Sequence, residues 1–375
     1  MMNVAILGAG MVGRAIAIDL SKKYNVTSYD INENNLGFLN KFTAINKQVA
    51  DLLEYSAYPL LLKNFDLVVS AVPGFMGFKT LEAIIHSKKN VADISFFPEN
   101  AMDLNTIAIE NNVTAIVDCG VAPGMSNLIL GYCDSLMQIN SFECVVGGLP
   151  RIRTKPFEYK APFSPVDVIE EYTRPARYVE NGHIVTKEAL SDPEYIDFEN
   201  AGTLEAFNTD GLRSILFTMS HISNMKEKTL RYPGHIDLIK SLQTAGFFNT
   251  DPINVKGTMV RPLDLTSALL IDKWKLKDKE PEFTLMKIII KGVKDNKQTS
   301  ITYDLFDEYD PVSDCTSMSR TTGYACSAML NLIAGDYFTD KGVFPPELIG
   351  KDKRCFDYVI TYLKERNVIY TKKVD

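Results

Sequence analysis

The sequence has few of the residues that build metal sites or disulfide frameworks. It contains four histidines in 375 residues, and its six cysteines are scattered without a CxxC pair. These spacings argue against a zinc site, so the expected metal content is none. A chain of this length does not depend on disulfides, and the cysteines are expected to be free thiols.

Long apolar runs and basic clusters are missing as well. No segment approaches the roughly 18 continuous apolar residues of a membrane helix, and the opening MMNVAILGAG lacks the basic start of a secretory signal. The net charge of -7 argues against nucleic acid as a partner. We therefore expect a cytoplasmic protein that acts on a small molecule, without membrane or nucleic-acid partners.

The first third of the chain alternates short apolar runs with stretches of helical periodicity. The apolar runs lie at 4–7, 26–29, 66–71, 90–93 and 114–117. Buried strands alternating with helices are typical of a doubly wound parallel sheet. The sequence predicts an α/β fold in which residues 1–122 form a Rossmann domain.

The character of the chain changes after residue 122. Within 123–312, the strand-like pieces Phe283–Lys291 and Thr299–Phe306 flank a polar KDNKQ stretch, which indicates a hairpin and an α+β domain with an antiparallel sheet. Residues 162–202, rich in Pro, Asp, Glu and Tyr, are expected to be a long irregular segment. Residues 313–375 carry two helical patterns, which we expect to return to the Rossmann domain and bury their apolar faces there.

The segment GAGMVG has the G-x-G-x-x-G spacing directly after a strand and at the start of a helix. That pattern predicts a dinucleotide site, because the glycines allow a tight turn and close approach of a pyrophosphate. Asp30 ends the second strand, where a carboxylate binds ribose hydroxyls and repels a 2′-phosphate, so NAD is favoured over NADP. The expected contacts are Gly8, Ala9, Gly10, Met11, Val12, Gly13 and Asp30.

The ends of two further predicted strands are expected to border the predicted dinucleotide site. SAVPG closes the run 66–71, and VAD closes the run 90–93. The expected cofactor contacts there are Ser70, Ala71, Val72, Pro73 and Asp93. Asp93 either touches the nicotinamide or substrate or caps a following helix, and the sequence leaves both roles open.

Several blocks beyond residue 117 are more specific. They are DCGVAPGMSN (118–127), VGGLP (146–150), GTLEAFNTDGLRS (202–214), TLRYPGH (229–235), SMSRTTGYACSA (317–328) and GVFPPE (342–347). Across nearly the whole chain they resemble the saccharopine dehydrogenase (reductase-type) family, and most closely its lysine 6-dehydrogenase branch. The resemblance implies a Rossmann domain, a substrate and dimerisation domain built around an antiparallel sheet, and a homodimer or larger homo-oligomer.

The resemblance also implies an activity. It points to an NAD-dependent enzyme acting on the CH–NH group of an amino acid, with oxidative deamination of the L-lysine ε-amine as the first expectation. One alternative is reduction of an imine to a secondary amine such as saccharopine or carboxynorspermidine. Another is a non-catalytic NAD-binding redox sensor.

Residues suited to this chemistry lie in the same blocks. Arginine binds carboxylates bidentately, so Arg231 is the expected anchor of an α-carboxylate. An ammonium must lose a proton before its carbon can release hydride, and His235, Asp93 and Glu205 are the candidate bases. The alternative for Arg231 and His235 is an ordinary surface position near a helix start.

Further contacts are expected around these residues. The N–H groups of a helix starting at Pro123 would face the cofactor crevice, together with Gly120 and Val121. The remaining expected substrate contacts are Tyr159, Asn208, Thr209 and Asp210. The alternative for Pro123 is a simple helix start, and for 208–210 an N-cap of a helix near Gly211.

Overall fold

The structure, a computed structural model, describes residues 1–163, 165–277 and 279–375, apart from the side chains of Pro165 and Val166. Seven strands in these ranges form one parallel sheet. Numbered along the chain, they are β1 (Asn3–Leu7), β2 (Asn25–Asp30), β3 (Ile45–Val49), β4 (Leu67–Ser70), β5 (Asn90–Asp93), β6 (Thr114–Ile116) and β17 (Gly342–Phe344). Their order is β17–β6–β5–β4–β1–β2–β3, the doubly wound arrangement predicted from the sequence.

Helices connect these strands because the apolar residues between the runs recur at helical spacing. They are α1 (Met11–Leu20), α2 (Glu33–Gly37), α3 (Tyr58–Leu61), α4 (Gly74–His86) and α5 (Asn105–Glu110), with 3-10 turns at Tyr55–Ala57 and Ala101–Leu104. Helix α1 buries Ile16 and Leu20 together with Val4 and Val26 of the sheet. Those side chains form part of the core beneath the crevice.

The second sheet is mixed. Its strands are β7 (Gln138–Pro150), β8 (Ala176–Glu180), β9 (His183–Lys187), β10 (Glu194–Phe198), β11 (Gly202–Asn208), β12 (Asn224–Arg231), β15 (Glu282–Lys294), β16 (Lys297–Glu308) and β18 (Tyr370–Val374). The predicted hairpin is confirmed, and its two turn residues Asp295 and Asn296 have the positive φ of 50° and 60° that such turns require. The parallel pairing of β12 with β7 was not predicted, and the long connection between them permits it.

The remaining helices and one small hairpin complete the fold. They are α6 (Met125–Asp134), α7 (Pro165–Thr173), α8 (Ile215–Thr218), α9 (His235–Thr244), α10 (Pro262–Trp274), α11 (Ser317–Ala334), α12 (Pro346–Gly350), α13 (Lys353–Lys364) and the hairpin of β13 (Ile253–Val255) with β14 (Thr258–Val260). No helix in the described ranges is long and apolar enough to span a membrane.

The prediction that 162–202 is irregular is wrong. Ser164 lies outside the described residues, but the segment contains α7, β8, β9 and β10. Helix α7 hides its pattern because only Val168, Ile169 and Tyr172 face the apolar core, while acidic residues occupy the opposite side. An acidic stripe that faces an internal cavity looks like a solvated loop in the sequence.

The C-terminal segment joins both sheets. Its strand β17 pairs with β6 of the first sheet, and its strand β18 pairs with β16 of the second. Between them, α11 packs against α1, β4 and β5 and also against β15 and β16. The relative position of the two sheets therefore depends on this segment.

One buried ion pair connects the segment directly after α13 to α1. The Asp19 carboxylate is buried, and it accepts hydrogen bonds from Arg366 Nε at 2.8 and 2.9 Å and from the Tyr362 hydroxyl at 2.7 Å. Lys22 also reaches Asp19, at 3.5 Å, but its side chain is 66% exposed against 19% for Arg366.

We expect Arg366→Met to lower the free energy of unfolding by about 3–5 kcal/mol, because it leaves the buried Asp19 carboxylate without its main counter-charge. Lys22→Met is the matched control, and it should cost less than about 1 kcal/mol because water already solvates that ammonium group. Urea unfolding of both variants measures the difference. Equal losses in the free energy of unfolding would contradict the conclusion that Arg366 is the main partner of Asp19.

Candidate active site

A cavity of about 620 Å³ lies at the carboxyl ends of the parallel strands. Residues directly after β1, β2, β4, β5 and β6 form one wall, and residues of β12 and α7 form the other. In doubly wound folds this edge is where ligands bind. The cavity therefore joins the predicted dinucleotide site to the second sheet in a single space.

The glycines of GAGMVG have distinct roles. A Cβ on Gly8 would lie 2.4 Å from the Ala71 carbonyl oxygen, and one on Gly13 would lie 2.1 Å from the Gly8 carbonyl oxygen. Both positions therefore exclude any side chain. At Gly10, which caps α1, a Cβ would meet nothing within 4 Å, so the helix N-terminus is open to the cavity. Free N–H groups at an open helix start suit a pyrophosphate.

Asp30 is held beside this loop. Its Oδ2 accepts hydrogen bonds from the Ala9 N–H at 2.8 Å and from Asn35 at 3.2 Å, and its Oδ1 accepts one from the Asn32 N–H at 2.8 Å. These contacts fix the carboxylate at the end of β2, where it lines the cavity. With the open turn at Gly10, the residues present fit a dinucleotide.

Most of the remaining cofactor contacts expected from the sequence also line the cavity. Those that line it are Gly8, Gly10, Met11, Val12, Gly13, Asp30, Ala71, Val72, Pro73, Gly120, Val121 and Pro123. A helix does start where expected, since α6 begins at Met125 after the cap Gly124. Ala9 and Ser70 are buried without lining the cavity: the Ala9 N–H binds Asp30, and the Ser70 hydroxyl contacts Ser95 at 3.2 Å.

Strand β12 supplies the opposite wall through its two-residue periodicity. Glu227, Thr229 and Arg231 line the cavity, whereas Lys226 and Lys228 line a separate surface cleft. Alternate residues of a strand face opposite sides of a sheet, so the segment KEKTLR places one acid, one hydroxyl and one base in a row. Thr229 also contacts Thr209 at 3.0 Å between the two hydroxyl oxygens.

Helix α7 contributes a polar face. Asp167, Glu170 and Glu171 of α7, with Arg174 directly after the helix, line the cavity at the spacing i, i+3, i+4 and i+7. This charged face adjoins β12 on the same wall, since Glu171 pairs with Arg231 at 2.9 Å. The predicted contacts Thr209 and Asp210 join it from the loop after β11.

Arg231 is fixed by a hydrogen-bond network. Its Nε donates to the Tyr172 hydroxyl at 2.9 Å, its Nη2 to Glu171 at 2.9 Å, and its Nη1 to the Leu230 carbonyl at 3.0 Å. The guanidinium also lies 4.3 Å from the centre of the Tyr159 ring. A guanidinium has five N–H donors, so two donors are left for a ligand in the cavity.

Four of the eight carboxylate residues that line the cavity pair with an arginine. The pairs are Asp118–Arg213, Glu170–Arg174, Glu171–Arg231 and Asp210–Arg177. The Asp210 pair is bidentate, with distances of 2.9 and 2.8 Å. These pairs stabilise a charged wall that would otherwise carry a large desolvation cost.

Glu227 differs from these residues. It is only 4% exposed, and no group in the described part of the chain donates a hydrogen bond to its carboxylate or forms an ion pair with it. Burial raises its pKa from 4.5 to about 8, with added repulsion from Glu171, Asp210 and Asp118 and an opposing effect of Arg213. A buried carboxyl that titrates near neutral pH in a cavity is typical of an acid–base site.

The prediction of His235 as a general base is wrong. Its Nδ1 donates to the Phe157 carbonyl at 2.9 Å, and its Nε2 accepts from the Tyr172 hydroxyl at 2.9 Å. Burial, with a further effect of Arg231, lowers its pKa to about 3. His235 does not line the cavity, and both ring nitrogens are occupied, so it positions Tyr172 and through it Arg231.

The other two predicted bases also lie outside the cavity lining. The Asp93 Oδ1 accepts the Ser95 N–H at 2.6 Å and closes the turn after β5, so it caps no helix and reaches no ligand space. Burial raises its pKa to about 7. The Glu205 Oε2 accepts the Gly234 N–H at 3.1 Å, which holds the loop before α9. Neither Asp93 nor Glu205 is therefore placed to act as the base, and Asp93 is not placed to contact the cofactor, because neither side chain lines the cavity.

Two predicted substrate contacts are displaced as well. Tyr159 does not line the cavity but packs on Arg231, and it therefore supports the anchor indirectly. Asn208 faces the opposite side of the sheet, where it accepts from Tyr178 at 2.8 Å and donates to Ser191 at 2.9 Å. The N-cap alternative for 208–210 is also excluded, because α8 starts only at Ile215.

Sequence reasoning missed Glu227 and the cavity face of α7. The signal for Glu227 was present, since a strand reading KEKTLR that ends in the expected anchor Arg231 places Glu227 on the same face. For α7 the only signal was the spacing of Asp167, Glu170, Glu171 and Arg174. Within the described residues, no three His, Cys, Asp or Glu side chains are grouped to hold a metal ion.

Two family models match most of the chain. Residues 4–116 match the model described as saccharopine dehydrogenase NADP binding domain, and residues 120–369 match the one described as saccharopine dehydrogenase C-terminal domain. Together these matches cover both sheets of the structure except for the last strand, β18.

Curated relatives are distant. Mouse mitochondrial alpha-aminoadipic semialdehyde synthase is 25% identical over 245 residues, which are 62% of this chain and 24% of that protein. The chain thus spans about a quarter of the length of the mammalian relatives it matches. Carboxynorspermidine synthase from Vibrio alginolyticus is 24% identical over 314 residues, which are 76% of this chain and 73% of that protein.

Solved structures share the fold. Apo saccharopine dehydrogenase (L-Glu forming) from Saccharomyces cerevisiae has a TM-score of 0.81 and 19% identity, with 100% of both chains covered. Homospermidine synthase from Legionella pneumophila in complex with NAD has a TM-score of 0.70 and 10% identity, covering 100% of this chain and 91% of that one. The predicted Rossmann sheet with a second α+β sheet is confirmed by this likeness.

The raised pKa of Glu227 predicts a pH-dependent stability difference. Between pH values of about 4.5 and 8 the folded state keeps a proton that the unfolded state has lost, so this residue lowers stability as pH rises. Glu227→Gln should therefore melt above the wild type at pH 9, by roughly 2–4 °C per kcal/mol gained, and equal to it near pH 4.5. Calorimetry over that pH range measures the difference.

The matched control is Glu143→Gln, which changes a carboxylate on β7 that pairs with Lys226 at 3.0 Å on the other side of the sheet. Its melting temperature should follow the wild type across the same pH range. A Glu227→Gln variant that is less stable than the wild type at pH 9 would contradict the described environment.

Proposed function

This chain belongs to the saccharopine dehydrogenase family, and from that membership we propose that it is a nicotinamide-dinucleotide-dependent oxidoreductase acting at the CH–NH group of an amino acid. One observation carries the proposal: a single cavity contains the Gly10 turn and Asp30 at one end and Arg231 and Glu227 at the other. When bound at Gly10 and Asp30, the dinucleotide supplies a hydride acceptor to a substrate held between the two walls.

The spacing on β12 favours a substrate whose carboxylate and amine are far apart. Arg231 and Glu227 share one strand face and are four residues apart, which corresponds to roughly 13 Å along a strand. A carboxylate at Arg231 and a cationic nitrogen at Glu227 suit an ω-amino acid better than reaction at an α-amine. We therefore propose oxidative deamination of the L-lysine ε-amine as the activity.

The chain's own residues prepare this reaction in three ways. Arg231 binds and orients the carboxylate, Glu227 attracts the cationic nitrogen, and the burial of both side chains shields the reacting groups from bulk water. Water exclusion strengthens each charge interaction in the cavity. The oxidised product is an imine, which water hydrolyses or an internal amine captures.

A second candidate is the reverse type of reaction, reduction of an imine to a secondary amine. The match to carboxynorspermidine synthase over 76% of this chain favours it, and the acidic wall of α7 suits a substrate with several cationic nitrogens. The assay that separates the two combines the protein with NAD⁺ and with NADP⁺, each with L-lysine, saccharopine and carboxynorspermidine, and follows reduced nicotinamide.

Rapid reduction of NAD⁺ in the presence of L-lysine supports the proposed activity. Turnover of a secondary amine alone would transfer the protein to the second candidate. Binding of NAD without turnover of any amine would contradict both and favour a redox sensor. The homodimer implied by the resemblance remains a prediction, which light scattering of the purified protein would check.

Asp30 should set the preference for NAD over NADP. Asp30→Asn removes the charge that repels a 2′-phosphate, so we expect the Kd of NAD⁺ to rise about tenfold, ~1.4 kcal/mol, and that of NADP⁺ to fall. Fluorescence titration of both cofactors measures the ratio. Asp66→Asn is the control, because Asp66 likewise accepts a backbone N–H, from Asn3, outside the cavity. An unchanged ratio in Asp30→Asn would remove Asp30 from cofactor selection.

Arg231 should recognise the carboxylate. Arg231→Lys keeps the charge but loses the planar fork, so the Kd of lysine in the presence of NADH should rise about tenfold or more. The Kd of 1,5-diaminopentane, which is lysine without its carboxylate, should stay nearly unchanged. Equal losses for both amines would show that Arg231 supports the cavity wall without binding the carboxylate.

A further inference from the structure

Glu227 is the one cavity carboxylate singled out by its surroundings. Asp118, Glu170, Glu171 and Asp210 each face an arginine, whereas in the described ranges the Glu227 carboxylate has neither an arginine nor a hydrogen-bond donor. It is nevertheless 4% exposed and lines the cavity. A buried, unpaired carboxylate is costly, so its presence calls for a ligand or a proton.

Charged groups from several elements surround it. Glu171 of α7, Asp210 of the loop after β11 and Asp118 after β6 repel its negative charge, and Arg213 attracts it. The Cys144 thiol on β7 and the Tyr178 phenol on β8, both in the mixed sheet, also interact electrostatically with this carboxylate. Burial and these acids together raise the pKa of Glu227 to about 8, which lets it exchange a proton near neutral pH.

Gly211 makes room for this carboxylate. A Cβ on Gly211 would lie 1.7 Å from Glu227 Oε1 and 2.1 Å from its Cδ. The chain at this point therefore accommodates the acid only because position 211 has no side chain. The carboxylate is thus seated against the backbone of the 209–211 loop, beside Thr209 and Asp210 of the cavity wall.

From this geometry we propose that Glu227 is the catalytic residue that removes the proton from the ammonium nitrogen of the substrate. The inference rests on the proposed function and replaces the three bases expected from the sequence. The ionised Glu227 carboxylate first attracts the cationic nitrogen to the part of the cavity wall that Thr229 and Gly211 line.

The proton transfer and the hydride transfer follow one another at the substrate nitrogen and its neighbouring carbon. The N–H bond of the ammonium breaks, its proton passes to a Glu227 carboxylate oxygen, and the nitrogen keeps the electron pair. The substrate carbon then releases hydride to the oxidised dinucleotide while that electron pair forms the C=N bond. Water attacks the resulting iminium, and ammonia leaves.

The first test is the pH profile of Glu227→Gln. In the wild type, kcat/KM for lysine should rise with pH through the pKa of Glu227. The variant should lose about 10²–10⁴-fold at pH 8, and the loss should shrink towards pH 10.5, where a free lysine amine, with a pKa of about 10.4, needs no base. Glu205→Gln, a buried acid of the adjacent strand outside the cavity, should keep the wild-type profile.

A second variant displaces the carboxylate without removing it. Gly211→Ala keeps an allowed backbone but forces Glu227 to move, so kcat/KM should fall by about 100-fold while the rise with pH persists. Circular dichroism and the melting temperatures verify that all three variants fold.

A third measurement does not depend on turnover. Lysine is titrated calorimetrically into the protein saturated with NADH, at pH 7, in buffers that differ in ionisation enthalpy. The wild type should release up to about one proton on binding, because the bound ammonium ionises Glu227, and Glu227→Gln should release none.

The outcomes separate the inference from the proposed function. Amine oxidation with an unchanged pH profile in Glu227→Gln would overturn the inference and leave the function standing. If the wild type oxidises no amine, the proposed function fails, and the proton count alone decides: equal proton release by wild type and Glu227→Gln overturns the role of Glu227.

Discussion

Helix α11 is the constraint on which the site depends. It packs against α1, β4 and β5 of the parallel sheet and against β15 and β16 of the mixed sheet, and its residues Met318 and Thr322 line the cavity. With β17 and β18 paired to different sheets, the last part of the chain fixes how the two walls face each other. The distance between the dinucleotide turn and strand β12 is therefore set by the packing of α11 and by the pairing of β17 and β18.

The charged side chains that line the cavity differ in whether they have a partner of opposite charge. Arginines pair with Glu170 and Glu171 of α7 and with Asp118 and Asp210 of the neighbouring loops, and one of these arginines, Arg231, keeps two donors for a ligand. The network of Phe157, His235 and Tyr172 behind it holds the guanidinium in one orientation. Glu227 is left as the group whose charge only a proton or a cationic ligand balances. This asymmetry, more than the fold, favours an amine as the substrate.

The sequence predicts features that depend on local chemistry. The glycine turn, Asp30 and the hairpin at Asp295–Asn296 are each specified by a few adjacent residues, and the structure contains all three. The site on the second sheet depends on tertiary contacts instead. His235 resembles a base in isolation, yet its burial against Phe157 and Tyr172 lowers its pKa to about 3. Helix α7 turns an acidic face inward, and no rule of composition distinguishes that face from a solvated one.

A substrate and a dinucleotide that share one cavity should exchange hydride directly. The most direct measurement uses the amine that is oxidised fastest, deuterated at the carbon that bears the reacting nitrogen, with mass spectrometry of the reduced cofactor. Direct transfer predicts one deuterium in each reduced nicotinamide, since the label passes without contact with water. Reduced cofactor that carries hydrogen from solvent would contradict it.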